Sequence, residues 1–392
     1  MPPITPPSPT TQGFLAVRDS SYGWDDVRSQ YIHPQDVFTL LMLVGGDIIQ
    51  TALVRLVSSS GPVIPIAFSF GWVAYSLSAV LAAIGSHRLA PRPDCACMIV
   101  EVGSGYARTV ESWVLARLVR DFERKKTKEN SDISECDKGL TISFLESTGN
   151  GGAKKTGNPS PDWWFNVGIG LVPLVLQLGI SIVPGLLHHD WVILAITGSG
   201  LVLAQLQGRI PQWKEELWNG RDIPKDEQKI VCLTRGNGNK DAIVIRSLSG
   251  DRNLADVAGA REVNSRRTVV WTSGLALLWL LLCFTAQGVN ENTGYLILVG
   301  AVGMVQNVVL AGLRYRPGHA GFHLKEWQIT TTKVERGERK PNEQEKKPKH
   351  QATEVVVGNM VHSDKVMMAL KLADEFEMGV GIALVPVFFQ GI

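Results

Sequence analysis

Six apolar runs alternate with polar and charged segments along the chain. Each run offers about 20 predominantly apolar residues, the length that an α-helix needs to cross the hydrocarbon core of a bilayer. The pattern therefore predicts a membrane all-α fold, a bundle of six transmembrane helices. The predicted helices cover residues 37–57, 63–85, 165–187, 190–208, 269–287 and 295–313.

The connections group these helices into three hairpins, 37–85, 165–208 and 269–313. The short connection within each hairpin contains no Lys or Arg, whereas the loops 86–164 and 209–268 are rich in both. Lys and Arg near the ends of membrane helices favour the cytosolic side. We therefore predict an integral, multi-pass membrane protein with its long loops and both termini in the cytosol.

The two long loops carry periodic patterns of their own. Residues 108–126 have helical periodicity, and LTISFLE (140–146) is typical of a strand. KIVCLT and DAIVIRS flank the turn-forming RGNGNK, which predicts a β-hairpin. Residues 211–218 are typical of a short interfacial helix. The loops therefore contribute structure as well as connection.

The C-terminal tail 314–392 adds a strand candidate at 326–335, a charged linker and a helix at 363–377. Together with the loop elements, these predict one small cytosolic α/β cap beneath the bundle. The Pro-rich, polar residues 1–36 predict a largely disordered cytosolic N-terminus without a secretory signal peptide.

Overall composition changes this picture little. A formal net charge of +2 gives no reason to expect nucleic acid as a partner. Of the five cysteines, four fall in predicted cytosolic segments and one falls within a predicted span. Because disulfides are rare in the cytosol, we expect free thiols.

Two motifs suggest ligand binding, but each has a simpler structural interpretation. MIVEVGSGYAR (98–108) has the order of a nucleotide-binding turn, but Arg108 fills the third glycine position. An ordinary strand-to-helix turn is therefore the favoured interpretation. The HHD sequence at 188–190 lacks partner ligands on the other outer turns, which favours a hydrated loop with Asp190 capping the next helix. We predict no cofactor, no metal site and no catalytic residue.

The most informative side chains are polar groups inside the predicted spans. An ionisable group within the hydrocarbon core is costly, so Asp47 is a candidate site residue. Arg55, two turns farther along, is expected to reach the outer surface. We expect the polar groups to turn inward and bond to one another, either as a polar pathway or as interhelical contacts. The candidate set is Asp47, Gln50, Thr51, Gln177, Gln205, Gln306 and Asn307.

Several segments together resemble a family of uncharacterised multi-pass membrane proteins that is common in filamentous fungi. The resemblance implies topology and no chemistry. It is carried by FGWVAYS (70–76), GYARTVESWVLARLVRD (105–121), PQWKEELW (211–218), LTRGNG (233–238) and GAVGMVQNVVLAG (300–312).

These observations favour a non-catalytic membrane protein that is transporter-like or membrane-organising. A membrane-embedded enzyme and a scaffold that recruits cytosolic proteins are the alternatives. The lipid bilayer is the expected partner, an unidentified small molecule or ion is a candidate substrate, and cytosolic proteins are candidate partners.

Overall fold

A computed structural model describes most of the chain after residue 44. The described residues are 45–59, 65–86, 88–129, 139–148, 166–263, 265–289, 292–313, 321–327 and 354–389. The predicted disorder of residues 1–36, the first part of the predicted span 37–57 and most of the predicted strand 326–335 lie outside these ranges.

Six helices make up the helical part of the described residues. They are α1 Gly46–Ser59, α2 Trp72–Gly85, α4 Val172–His188, α5 Val192–Gly208, α8 Arg266–Gln287 and α9 Thr293–Gly312. A π-helical turn, Asn166–Leu171, leads into α4. The shorter helices elsewhere are α3 Trp113–Glu129, α6 Gln212–Leu217, α7 Leu254–Ala258, α10 Val366–Phe376 and α11 Val380–Phe388.

The prediction of a six-span all-α bundle is wrong. Within the described residues, three helices are long and apolar enough to cross a membrane: Gly168–His188, Arg266–Gln287 and Thr293–Gly312. Helix α1 has 14 residues, and at about 1.5 Å per residue it is about 21 Å long, against about 30 Å of hydrocarbon. Helix α2, with 14 residues, and helix α5, with 17, are apolar but also shorter than the three candidate spans.

Four helices form an up-and-down bundle on the mixed sheet described below. Helices α4 and α8 run away from the sheet, and α5 and α9 return to it. At the far end, Asn292 donates to Asp190 over 3.3 Å, which joins the two turns. At the near end, Arg117 of α3 contacts the carbonyl of Leu313 directly after α9. Asp190 also accepts from the Val192 N–H, at the first residue of α5, over 3.1 Å; the N-cap residue itself is Trp191.

Helices α1 and α2 do not form the hairpin predicted for residues 37–85. With the stretch between them they form a unit that re-enters the helical bundle, which we call the re-entrant unit. A Cβ on Gly45 would touch Met304 in the middle of α9, while Arg55 reaches the carbonyls of Leu310 and Leu313 at the end of α9. Helix α1 therefore runs parallel to α9, toward the sheet. Residues 65–70 then re-enter the bundle without helical structure, and α2 returns to the sheet side.

A mixed eight-stranded sheet replaces the predicted small cap. Its strands are β1 Met98–Glu101, β2 Ala107–Thr109, β3 Leu140–Ser147, β4 Lys229–Thr234, β5 Asp241–Ser247, β6 Leu324–Glu326, β7 Glu354–Val357 and β8 Met360–Ser363. The order is β2-β1-β4-β5-β3-β8-β7, with β6 also paired to β3. Only β3 and β5 pair in parallel; the other pairs in this sheet of described strands are antiparallel.

Both faces of the sheet are covered by helices. Neighbouring residues of a strand point to opposite faces and therefore join different cores. Val231 and Leu233 of β4 join a core shared with α3 and the helical bundle. Cys232, between them, faces a second core closed by α10 and α11. The sheet and the bundle therefore share one continuous hydrophobic core.

The local predictions are mostly realised in this sheet. The strand predicted at 140–146 is β3, and the predicted hairpin is formed by β4 and β5. The prediction that MIVEVGSGYAR leads from a strand into a helix is wrong, because β1 turns back into the antiparallel strand β2. A short helix, α6, is present at the position predicted for an interfacial helix, 211–218, but its Trp213 and Leu217 are buried in the protein core.

Candidate functional site

The most unusual polar arrangement surrounds residues 65–70, an extended stretch buried in the helical bundle. All six residues are buried. Its backbone fits because the facing helices carry glycine at the contacts. A Cβ on Gly303 would overlap the Phe68 carbonyl, and one on Gly300 would overlap the Phe70 ring. Non-helical backbone that is buried away from water requires hydrogen-bond partners within the protein.

Gln177 of α4 supplies partners for Phe68. Its Oε1 accepts from the Phe68 N–H over 3.1 Å, and its Nε2 donates to the Phe68 carbonyl over 2.6 Å. The same Nε2 donates to the carbonyl of Val299 in α9 over 2.7 Å. One side-chain amide thus joins the extended stretch to two helices, and it occupies both backbone groups of Phe68.

Gln306 of α9 holds the start of the stretch in the same manner. Its Oε1 accepts from the Ala67 N–H over 2.6 Å, and its Nε2 donates to the Pro65 carbonyl over 2.9 Å. The Nε2 also donates to the Ile169 carbonyl over 2.8 Å, in the π-helical turn before α4. We call Gln177 and Gln306 the two clasp glutamines.

A third candidate residue, Asn307, also binds the extended stretch 65–70. Asn307 donates from Nδ2 to the Ser69 hydroxyl over 3.0 Å. The indole N–H of Trp72 donates to the Ala67 carbonyl over 3.2 Å. Three of the seven candidate residues, Gln177, Gln306 and Asn307, are therefore brought together, each on the backbone or a side chain of residues 65–70.

The other four candidates lie elsewhere. Asp47 is exposed in the first turn of α1, where a negative charge suits the helix dipole. Thr51 donates back to the Asp47 carbonyl over 2.9 Å. Gln50 donates to the Leu89 carbonyl over 2.7 Å, and Gln205 is half-buried on α5.

Sequence reasoning missed the role of two arginines at the end of α9. Arg55 is buried, and its Nη1 donates to the carbonyls of Leu310 and Leu313 over 2.7 and 2.6 Å. The expectation that Arg55 reaches the outer surface is wrong, because α1 runs toward the sheet. A cation at a helix C-terminus neutralises both the unpaired carbonyls and the dipole.

Arg117 of α3 binds the same helix end from the sheet side. Its Nη2 donates to the Leu313 carbonyl over 2.9 Å. Its other nitrogens pair with Asp94 at 2.8 Å and with Asp121 at 3.2 Å. With only 3% of its side chain exposed, Arg117 is a buried joint between the sheet and the bundle. The only advance signal was its position on the apolar face of the predicted helix 108–126.

A second buried polar group lies where the bundle meets the sheet. The carboxylate of Glu216 in α6 accepts from the backbone N–H groups of Leu89 and Ala90 over 2.8 and 2.7 Å, and from the Gln212 amide. Burial raises the pKa of Glu216, while these N–H groups oppose the rise. These contacts hold the chain after α2 against α6.

The polar groups around residues 65–70 form structural hydrogen bonds, and their arrangement fits this role better than it fits catalysis. Both backbone groups of Phe68 and the side-chain amides of the clasp glutamines are engaged. Across the described ranges, no group of three or more His, Cys, Asp or Glu side chains is placed to hold a metal ion.

Comparisons with known proteins do not assign a family. The chain matches no protein-family model, no curated protein and no solved structure.

Proposed function

We propose that this protein is an integral membrane protein that anchors its mixed sheet against one face of a bilayer, as a membrane-organising module. The main observation in support of the proposal is that the two clasp glutamines form structural hydrogen bonds. Their amides bind the backbone of residues 65–70 and so stabilise a closed bundle.

Length, composition and surface support the membrane assignment. The three candidate spans have 21, 22 and 20 residues, and in each of them at most 39% of an apolar stretch of 18 residues is buried. Large apolar side chains point outward, including Val270 at 71% and Phe284 at 69% exposure. Such an extensive apolar surface is unfavourable in water and favourable in lipid. Because α4 crosses away from the sheet, α5 provides the return crossing despite its 17 residues.

The distribution of basic residues supports a cytosolic location for the sheet. The helix ends nearest the sheet are followed or preceded by Arg88, Arg209, Arg266 and Arg267. The connections at the far end contain no Lys or Arg. By the preference of basic residues for the cytosolic side, the sheet faces the cytosol.

A rigid joint supports anchoring. Arg55 from the re-entrant unit and Arg117 from α3, on the sheet side, donate to the carbonyl of the same residue, Leu313. The sheet and the bundle also share one hydrophobic core. A freely hinged cytosolic domain would have neither feature.

Proteoliposomes test this proposal against a transport function. The purified protein is reconstituted with a pH-sensitive dye inside, and a pH gradient is imposed. We expect wild type and Asp47→Asn to match protein-free vesicles in proton flux, because Asp47 lies outside the clasp. The protein should also remain in the membrane after an alkaline carbonate wash.

Two results would contradict the proposal. One is a proton flux specific to wild type that disappears in Asp47→Asn while the protein stays folded. The other is release of the protein by carbonate. Asp226→Asn, at an exposed turn before β4, is the matched control for a carboxylate replaced outside the helical bundle.

A further inference from the structure

A groove of about 530 Å³ lies on the surface of the bundle between α5 and α8. These two helices pack against each other and run in opposite directions. The groove opens outward, because Val202 and Leu281 in its lining are 59% and 53% exposed, whereas Leu203 in the same lining is buried. It is therefore an apolar groove on the surface that the proposed function places in lipid.

Glycines keep this space open. A Cβ on Gly198, in the lining on α5, would meet no atom of the described residues within 4 Å beyond its own helix. The same holds for Gly274 of α8, one turn from the lining residue Leu278 in the direction of the sheet. The groove therefore has room for a ligand, and the open surface extends from it toward the sheet.

Both walls of the groove continue to an arginine at the end nearest the sheet. On α5, Arg209 follows Val202 by seven residues, and on α8, Arg267 precedes Leu278 by eleven. Both spacings are close to a whole number of helical turns, so each arginine lies on the same face of its helix as the groove. Both arginines are exposed. An apolar groove thus leads to two cations.

The charge at this end favours an anion. In residues 261–267, three arginines outnumber the single carboxylate, Glu262. Trp271, which is 57% exposed, lies between Arg267 and the groove along α8. Tryptophan prefers the headgroup level of a bilayer, because its ring is apolar with one polar edge. The arginines are therefore placed for a lipid headgroup.

The depth of the groove matches one leaflet. Gly198 lies about 16 Å from Arg209 along α5, at 1.5 Å per residue. Half of the hydrocarbon core of a bilayer is about 15 Å thick. An acyl chain whose headgroup is at Arg209 would therefore extend to the far end of the groove.

We propose that this groove binds a phospholipid with a net negative headgroup, from the leaflet on the sheet side. Its phosphate lies between Arg209 and Arg267, and one acyl chain lies along the groove. Arginine matches the geometry of phosphate oxygens, and basic pockets between membrane helices bind anionic headgroups. The inference rests on the proposed function, because lipid reaches this groove only if α5 and α8 lie in a bilayer. It names the lipid class that the membrane-organising module gathers.

Native mass spectrometry tests the headgroup. The full-length protein is reconstituted in vesicles of equal parts phosphatidylserine and phosphatidylcholine with identical long acyl chains, then released in mild detergent. We expect wild type to retain one phosphatidylserine per chain. The double variant Arg209→Gln with Arg267→Gln should lower this retention about thirtyfold. Arg221→Gln with Lys225→Gln, at two exposed positions between α6 and β4, is the charge-matched control and should behave as wild type.

Gly198→Leu tests the acyl chain. Wild type should retain long-chain phosphatidylserine better than dioctanoyl phosphatidylserine, whose chains are too short to reach the far end of the groove. The leucine side chain fills that end, so Gly198→Leu should abolish the difference. Gly179→Leu in α4 is the control, because a Cβ there also meets no atom of the described residues within 4 Å beyond its own helix. It should preserve the difference.

Three results would overturn the inference. The first is equal retention of the two lipids by wild type. The second is equal phosphatidylserine retention by the double arginine variant and its control. The third is a lipid-free dimer that Gly198→Leu dissociates, which would assign the groove to a second copy of the chain. If the double variant does not fold, as judged by thermal unfolding, Arg267→Gln alone replaces it.

An alkaline carbonate wash separates this inference from the proposed function. If wild type stays in the membrane but shows no preference for phosphatidylserine, the lipid site alone is wrong. If carbonate releases wild type, the proposed function fails and the lipid site fails with it.

Discussion

Gln177 and Gln306 give residues 65–70 the hydrogen bonds that a neighbouring strand would otherwise supply. Each side-chain amide offers one acceptor and two donors. Each is placed to receive a backbone N–H and to donate to a backbone carbonyl. Loss of one amide would leave these buried groups without partners, which costs about 1–3 kcal/mol per group.

Gln306→Met tests this role at the scale of one residue. The change keeps the side-chain length and removes the amide, so the Ala67 N–H and the Pro65 carbonyl lose their partner. We expect the free energy of unfolding to fall by about 2–4 kcal/mol, measured as a lower melting temperature in detergent. Gln287→Met, at an exposed position of α8, should change stability by less than about 0.5 kcal/mol. Equal effects of the two variants would contradict the clasp.

Sequence reasoning identified Gln177, Gln306 and Asn307 but not their partners. A polar side chain within an apolar segment needs a hydrogen-bond partner, and this applies to each of the three residues. It does not show which partner. The groups they bind are the backbone of residues 65–70, more than 100 residues away from each of them in sequence.

At the scale of elements, apolar length alone could not separate one long helix from a segment that is partly extended and re-enters the bundle. Residues 63–85 have the composition of one helix, yet 65–70 are extended and only Trp72–Gly85 is helical. Pro65 disfavours a helix that would include the residues before it. The decisive interactions come from α4 and α9, which no local pattern in residues 63–85 contains.

The joint at the end of α9 belongs to the same scale. Arg117→Met removes one partner of the Leu313 carbonyl and one of the two arginines that pair with Asp94 and Asp121. Arg120 still pairs with both carboxylates. We therefore expect a loss of about 1.5–3 kcal/mol, the contribution of a hydrogen bond to a charged group. The backbone amide of Leu313, which donates to the Val309 carbonyl, should also exchange hydrogen faster.

The matched control for this joint is Arg221→Met. The side chain of Arg221 is 88% exposed, although it pairs with Asp256 at 3.0 Å. Exposed ion pairs contribute little to stability, so the free energy of unfolding should change little. If Arg117→Met were as mild as this control, Arg117 would not hold the sheet to the bundle.

At the scale of the whole molecule, the sequence predicted strands without predicting their sheet. Strands β3, β4 and β5 are recognisable from alternating apolar residues. The pairing of β3 with β5 joins Thr141 to Asp241, across the entire α4–α5 hairpin. Such pairing depends on tertiary contacts between distant segments, so the small cap of the sequence analysis became a mixed sheet that shares a core with the bundle.

The central claim is that α1 runs parallel to α9 and ends on the sheet side. Spin labels on non-natural residues at positions 59, 292 and 313 test it by pulsed distance measurement in nanodiscs. The α9 helix has 20 residues and a length of about 30 Å. The 59–313 distance should be shorter than the 59–292 distance by about 20 Å. A shorter 59–292 distance would restore a transmembrane α1 that ends at the far turns and would contradict the re-entrant unit.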